Sequence, residues 1–226
     1  MKSVSDQRAF VFDAPAAAEI RAPSGFRLLP GLLSPNAQAD LLAEVFTAIA
    51  PAPFFRGCMP HTGKPLSVEM TNLGSLGWVS SVEGYTYRPT HPETGAPWRS
   101  MPLALLDLWA ALADYPAPPE ACLVNWYKPD CKLGLHVDAD EAAKDAPVLS
   151  ISLGDDALFR LGGPSRKDPT RSLRLHSGDV VVLGGASRRF FHGVDRIYPR
   201  TSDLALQFLP DGGRINLTLR RVTGPV

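Results

Sequence analysis

From Ala121 onward the chain is cut every few residues by turn material: "KPD", "LGDD", "GGPSRKDP", "HSGD" and "LGGAS". Such punctuation leaves room for short extended runs and little else. Alternation between the breaks predicts strands at 121–127, 133–138, 147–153, 157–161, 171–176, 179–183, 188–194 and 214–221. About eight short strands at close spacing, with no helix between them, predict a β-sandwich or barrel, with a jelly roll the natural candidate. The 22 prolines favour short elements joined by rigid loops over a helical bundle, since typical usage would supply roughly 11.

Upstream the pattern is different. "SPNAQADLLAEVFTAIA" offers Ser34 as an N-cap, Pro35 at the first helical position, and one apolar stripe of Leu41, Leu42, Val45, Phe46 and Ile49. A second helix is predicted in "SMPLALLDLWAAL", with Ser100 as its cap and Leu105, Leu108, Trp109 and Leu112 facing inward. Residues 51–99, rich in Pro, Gly and aromatics, predict short strands and ordered loops. The expected architecture is one α+β domain over 1–226: a helical lead-in through residue 120, packed on one face of an all-β core over 121–226.

Acidic and basic residues balance at 23 each, so no overall basic field exists and a nucleic-acid partner must be held by a local patch or by pocket contacts. Cys58, Cys122 and Cys131 form no C-x-x-C pair and resemble neither a disulfide framework nor a zinc site. They read as small buried hydrophobes in a reducing compartment. The N-terminal "MKSVSDQRAFVFDAPAAAEI" breaks its apolar run with Asp13, Pro15 and Glu19, a poor signal peptide. No stretch approaches the ~20 apolar residues of a membrane span, so a soluble cytoplasmic protein is expected.

Within "LGLHVDADE", Leu133, Leu135 and Val137 alternate with Gly134, His136, Asp138 and Asp140. His136-x-Asp138 places an imidazole and a carboxylate on one side of a strand, ligands that suit Fe(II), Mn or Zn. Alone the pair arises often by chance, and a solvent-facing strand looks the same. Of the remaining histidines, His192 in "RRFFHGVD" is the best third ligand, because it sits in an apolar strand beside a glycine that permits close approach. Two histidines and one carboxylate form the facial triad of non-haem Fe(II) oxygenases.

The last strand, "RINLTLR", alternates Ile215, Leu217 and Leu219 with Arg214, Asn216, Thr218 and Arg220. Most such strands are half-buried with a solvated polar face. At about 3.3 Å per residue, however, the two arginine Cα atoms lie roughly 20 Å apart, and inward-reaching guanidinium groups leave a gap suited to a short dicarboxylic acid. In "LVNWY", Leu123, Asn125 and Tyr127 share a face, so an amide and a phenol can join the same pocket, while Trp126 points the other way.

The series N-x-Y at 125–127, H-x-D-x-D-E at 136–141, H-G at 192–193 and R-x-N-x-x-x-R at 214–220 resembles the AlkB family of Fe(II)- and 2-oxoglutarate-dependent nucleic-acid dealkylases. "MTNLGSLGWVSSVEGYTY" also resembles that family's nucleotide-recognition segment, and the likeness runs in order from about Ser67 to Arg220. The resemblance implies a double-stranded β-helix, a jelly-roll variant that agrees with the strand count. It implies Fe(II) on His136, Asp138 and His192, and 2-oxoglutarate held by Asn125, Tyr127, Arg214, Asn216 and Arg220, with Arg214 on the distal carboxylate and Arg220 on the proximal one. It places Trp78 against a flipped base opposite His136, Tyr85 and Tyr87 on the strand backbone, Asp140 at the base edge, and Arg166 on phosphate.

The activity so implied is oxidative dealkylation of N-alkylated bases such as N1-methyladenine and N3-methylcytosine in single-stranded DNA or RNA. It uses O2 and yields succinate, CO2 and an aldehyde. No membrane association and no obligate protein partner is evident. Two other functions share parts of the pattern: a 2-oxoglutarate oxygenase acting on a protein or small metabolite, which needs neither Trp78 nor the basic loop "GGPSRKDPTR" that carries Arg166, and a non-catalytic β-barrel binding module whose H-x-D face is surface. The link "GVDRIYPRTSDLALQFLPDGG" is longer than a minimal family member requires, which predicts a decorated loop near the cofactor mouth.

Overall fold

The computed structural model describes residues 18–22 and 24–224; the first 17 residues, and with them most of the stretch read as a poor signal peptide, lie outside it. Strands β1 (Ile20–Arg21) and β2 (Phe26–Leu29) lead into helix α1 (Pro35–Ile49). Pro35 opens α1 and Ser34 Oγ accepts from the Ala37 amide at 3.3 Å, which satisfies one of the N–H groups that a helix start leaves unpaired. Then come β3 (Glu69–Gly74), β4 (Gly77–Ser81), β5 (Gly84–Arg88) and α2 (Leu103–Leu112). Ser100 does not cap α2; Pro102 takes that position and makes no side-chain bond. Proline disfavours helical geometry in its predecessor, so Met101, and with it Ser100, falls outside the helix.

The second half contributes β6 (Ala121–Tyr127), β7 (Leu133–His136), β8 (Val148–Gly154), β9 (Asp156–Leu161), β10 (Arg171–Leu175), β11 (Val180–Leu183), β12 (His192–Tyr198) and β13 (Arg214–Arg220). A seven-stranded sheet has the order β1-β2-β11-β8-β13-β6-β3, a four-stranded sheet the order β10-β9-β12-β7, and β4–β5 form a separate hairpin. Phe26, Leu28, Val181 and Leu183 of the large sheet share one core with Ala157, Phe159, Val194 and Ile197 of the small one. On its other face the large sheet packs Val124, Ile151, Leu217 and Leu219 against Leu41, Leu42 and Val45 of α1 and Leu105, Leu108 and Trp109 of α2. Two facing antiparallel sheets thus form the jelly-roll core. No helix among the described residues is long and apolar enough to cross a membrane.

Three sequence expectations shift. The strand expected at 133–138 ends at His136, because its partner β12 begins opposite it at His192 and the ladder runs out. The strand expected at 188–194 begins only at His192; residues Gly185–Arg189 instead form a 3-10 turn. Gly185 at φ +51° and the Ser187 hydroxyl on the Gly184 carbonyl (2.8 Å) fold this segment locally, ahead of the apolar run. The long link is partly strand, since β12 continues to Tyr198. Its remainder packs on the helix side of the large sheet: Phe208 stacks on Phe46 of α1 (centroids 4.7 Å apart), and Trp126 Nε1 donates to the Gly212 carbonyl at 3.0 Å.

Candidate metal and cosubstrate site

His136 closes β7 and His192 opens β12, and the two are directly paired across the ladder. Their rings lie 4.5 Å apart at 53°. Each Nδ1 sits 3.0 Å from the carbonyl oxygen two residues back, Gly134 for His136 and Phe190 for His192. A carbonyl can only accept, so hydrogen-bond assignment puts the proton on Nδ1 and leaves the Nε2 lone pair free. Those Nε2 atoms face Asp138, at 3.9 Å from Oδ1 for His136 and 3.7 Å from Oδ2 for His192. One ligand atom from each residue lies within 4.8 Å of the others. Close approach of the two strands depends on Gly193, where a Cβ would stand 2.5 Å from the Leu133 carbonyl oxygen.

The charge states also suit a cation. Burial pushes the His192 imidazole down to about 4, against the pull of Asp138, so the ring is neutral at neutral pH. Burial disfavours ionised Asp138, but Arg220, the neighbouring imidazoles where acid charges them, and Arg188 outweigh it and hold the carboxyl well below the usual carboxylate range. Neutral imidazoles and an ionised carboxylate are the forms that ligate metal.

All seven residues of β13 are buried, so its polar face is not the solvated side of a surface strand. The register sets Arg214 opposite Tyr127 and Asn216 opposite Asn125 on β6, while β8 brings Ser152 beside Asn216 and Ser150 beside Thr218. Asn216 Nδ2 donates to Ser150 Oγ and Ile151 O at 2.8 and 3.0 Å, and Thr218 Oγ1 donates to Asn216 Oδ1 at 2.9 Å. Arg214, 1% exposed, donates through Nη2 to Ser152 Oγ at 2.9 Å, and its Nε and Nη1 have no partner among the described residues. At the other end of the stripe Arg220 Nη2 donates to Asp138 Oδ1 at 2.8 Å. A buried guanidinium with two unpartnered nitrogens offers donors to one carboxylate, and with Arg220 at the other end of the stripe the donor set fits a dicarboxylate such as 2-oxoglutarate.

The aromatic hairpin meets this site through two bonds, from Trp78 and from Tyr87. Trp78 Nε1 donates to Asp140 Oδ2 at 2.8 Å, and the Trp78 ring stacks on Tyr85 with centroids 5.1 Å apart. Buried Asn72 fixes the Trp78 backbone, accepting from its N–H and donating to its C=O, both at 3.0 Å. Tyr87 directs its hydroxyl to Glu141 Oε1 at 2.5 Å. Arg166 is exposed, with its guanidinium over the Phe191 ring one residue from His192.

Residues 25–220 match the model of the 2OG-Fe(II) oxygenase superfamily. The chain is 57% identical over 197 residues to the alpha-ketoglutarate-dependent dioxygenase AlkB homolog of Caulobacter vibrioides, covering 87% of each chain. It belongs to the AlkB family. It is also 41% identical to the alpha-ketoglutarate-dependent dioxygenase AlkB of Escherichia coli K12, over 82% of this chain and 85% of that one. The solved structure of OsALKBH1 superposes with a TM-score of 0.73 at 33% identity, over 89% of this chain and all of that one. Family membership and the donor set agree on Fe(II), 2-oxoglutarate and O2 as the reactants of this dioxygenase.

Sequence reading missed four residues that the fold brings to the candidate site. Ser150 and Ser152 enter because β8 pairs with β13, a long-range choice without local signature. Glu141, 1% exposed, follows Asp140 directly and was visible in the motif, but only the fold shows it joined to Tyr87 and Arg188. Arg188, 4% exposed, reads in "RRFF" as one more surface charge.

Proposed function

We propose that this dioxygenase removes N-alkyl groups from bases such as N1-methyladenine and N3-methylcytosine in single-stranded DNA or RNA. The observation that carries this reading is the Trp78–Asp140 bond: it joins an aromatic hairpin to a carboxylate two residues from Asp138, so the metal cluster and a base-sized aromatic surface meet at one place. A protein or metabolite oxygenase has no need of that junction.

In this reading His136, Asp138 and His192 hold Fe(II), and Arg214 grips the distal carboxylate of 2-oxoglutarate. Arg220, bonded to Asp138, serves the proximal end, with Asn125, Tyr127 and Asn216 along the stripe. Bound iron and 2-oxoglutarate supply the oxidation of the N-alkyl carbon by O2, with release of CO2 and succinate. The chain's own work is binding and orientation. Trp78 stacks the target base opposite His136, and the base must be unpaired or flipped out to arrive there. The Asp140 carboxylate favours the positive charge that N-alkylation places on adenine or cytosine. Tyr85, which is exposed, and Arg166 meet the strand's backbone, whereas Tyr87 meets it only by giving up its bond to Glu141.

The test is 2-oxoglutarate turnover with methylated and unmethylated single-stranded oligonucleotides, DNA and RNA in parallel. Methylated strands are expected to stimulate succinate formation and yield demethylated product. Equal stimulation by unmodified strands with no demethylated product would defeat the proposal. Trp78→Phe separates stacking from the indole bond. The indole bond to the charged Asp140 is worth about 1.5 kcal/mol and orients the ring before substrate arrives. With up to that much binding energy diverted to re-ordering the ring, KM for the methylated oligonucleotide is expected to rise by up to roughly tenfold. Binding of Fe(II) and 2-oxoglutarate, followed by their charge-transfer band, is expected to stay unchanged. An unaltered KM would show that the indole bond to Asp140 contributes nothing to substrate binding.

A further inference from the structure

Two of the three metal-site residues are fixed by strand pairing, and the third is not. His136 and His192 sit opposite each other on the ladder, but Asp138 lies beyond the end of β7, in a segment without strand structure that runs from Val137 to Pro147. One buried guanidinium gathers that segment. Arg188 donates from Nη1 to the Asp138 carbonyl at 2.5 Å, from Nη2 to Glu141 Oε2 at 2.8 Å, and from Nε to the Ala146 carbonyl at 2.9 Å. Its partners therefore stand at the start, the middle and the end of the segment. Arg188 itself lies in the 3-10 turn just before His192, whose Nδ1 is oriented by the Phe190 carbonyl. The same side chain thus ties the stretch that bears His192 to the stretch that bears Asp138.

We propose that Arg188 is a positioning residue for the metal centre, fixing the Asp138 backbone so that its carboxylate meets the two imidazoles. The inference rests on the triad reading above. The carboxylate of Asp138 is bonded directly by Arg220, so the contact Arg188 itself makes is with the ligand's main chain, and its charge acts on the carboxylate only at longer range. Lysine cannot replace it: an ammonium is a point charge without the planar fork that reaches three acceptors at once.

The test is anaerobic titration of the metal-free full-length chain with Co(II), followed by its visible absorption. Loss of an outer-shell support typically weakens metal binding about 10- to 100-fold, and Arg188→Lys is expected to bind Co(II) that much more weakly than the unaltered chain. Turnover with excess Fe(II) is expected to return toward the unaltered level. Unchanged Co(II) affinity beside a lowered melting temperature would overturn the proposal, since a purely structural arginine moves only the second. If Arg188→Lys does not fold, Glu141→Gln, which keeps volume but weakens the anchor of the Nη2 group, is expected to weaken Co(II) binding in the same direction; unchanged affinity there overturns the proposal too. Failure of the unaltered chain to bind Co(II) would overturn the triad reading and this inference together.

Discussion

Asp138→Asn is expected to abolish oxygenase turnover and to destabilise the metal-free chain by about 3 kcal/mol. Removing one member of a buried ion pair typically costs about 3–5 kcal/mol, and the low end applies because the amide oxygen can still accept from Arg220. The partner left behind is severely placed. Arg220 is 6% exposed, its Nε has no hydrogen-bond partner, and Glu141 Oε1 stands 3.5 Å from that atom, near enough for charge attraction but not aligned as a hydrogen bond. Turnover fails for a separate reason, because a neutral amide is a weak ligand for a hard divalent cation.

The same substitution carries a pH signature. The folded chain holds the Asp138 carboxyl well below its ordinary range, against burial and through Arg220, His192 and His136. A group with a depressed pKa contributes its full stability above the unfolded value, about 3.9, and loses it as pH falls through the folded one. Urea unfolding of the two metal-free chains is therefore expected to show a constant gap from pH 8 to about pH 4 that narrows only in stronger acid. Coincident unfolding midpoints at pH 7 would show that the Asp138–Arg220 pair contributes nothing.

What the sequence reveals here follows the range of the interactions. The period-2 alternation of "RINLTLR" and "LVNWY" assigns faces correctly, because side-chain direction in a strand is local, and the register then sets Arg214 against Tyr127 and Asn216 against Asn125. Ser34 with Pro35 starts α1 where expected, since a cap is a contact between near neighbours. His192 was legible as a candidate ligand from its apolar neighbours and its glycine, and the fold sets it beside His136 and Asp138. Yet the strand carrying it starts later than its apolar run suggests, because a glycine at positive φ and a serine hydroxyl fold the preceding turn. Arg188 was illegible. Its three partners lie 42 to 50 residues away in sequence, and nothing in "SRRF" separates it from its exposed neighbour Arg189. Asp140 was read as a group for the substrate, and only the fold shows that Trp78 already engages it.

Arg214→Met is expected to have opposite effects on the free and the liganded chain. Without a dicarboxylate, Arg214 is a fully enclosed cation with one hydrogen bond, to a neutral serine, and two nitrogens whose N–H groups find no acceptor among the described residues. Burial pushes its guanidinium below the ordinary arginine range, the direction that marks an unfavourable site for charge. Each unmet buried donor costs about 1–3 kcal/mol, so a methionine of similar length is expected to raise the stability of the ligand-free chain by that order. Ser152 Oγ loses a donor but can turn its own proton to another acceptor. Binding shows the reverse. Truncating one side of a buried charge pair costs about 2–5 kcal/mol, which predicts at least a 30-fold loss of 2-oxoglutarate affinity. A thermal melt with redox-silent Mn(II), with and without 2-oxoglutarate, reads both signs at once. The unaltered chain should melt lower alone and gain several degrees with cosubstrate at 100-fold over Kd, an increment worth about 2.7 kcal/mol. The variant should melt higher alone and gain almost nothing. A variant that melts lower alone would show that Arg214 stabilises the fold itself, and one that keeps the full 2-oxoglutarate shift would move the distal carboxylate away from this residue. The buried cation trades stability of the empty fold for selective capture of its dianion, so the two halves of the prediction stand or fall on the same pair of unpartnered nitrogens.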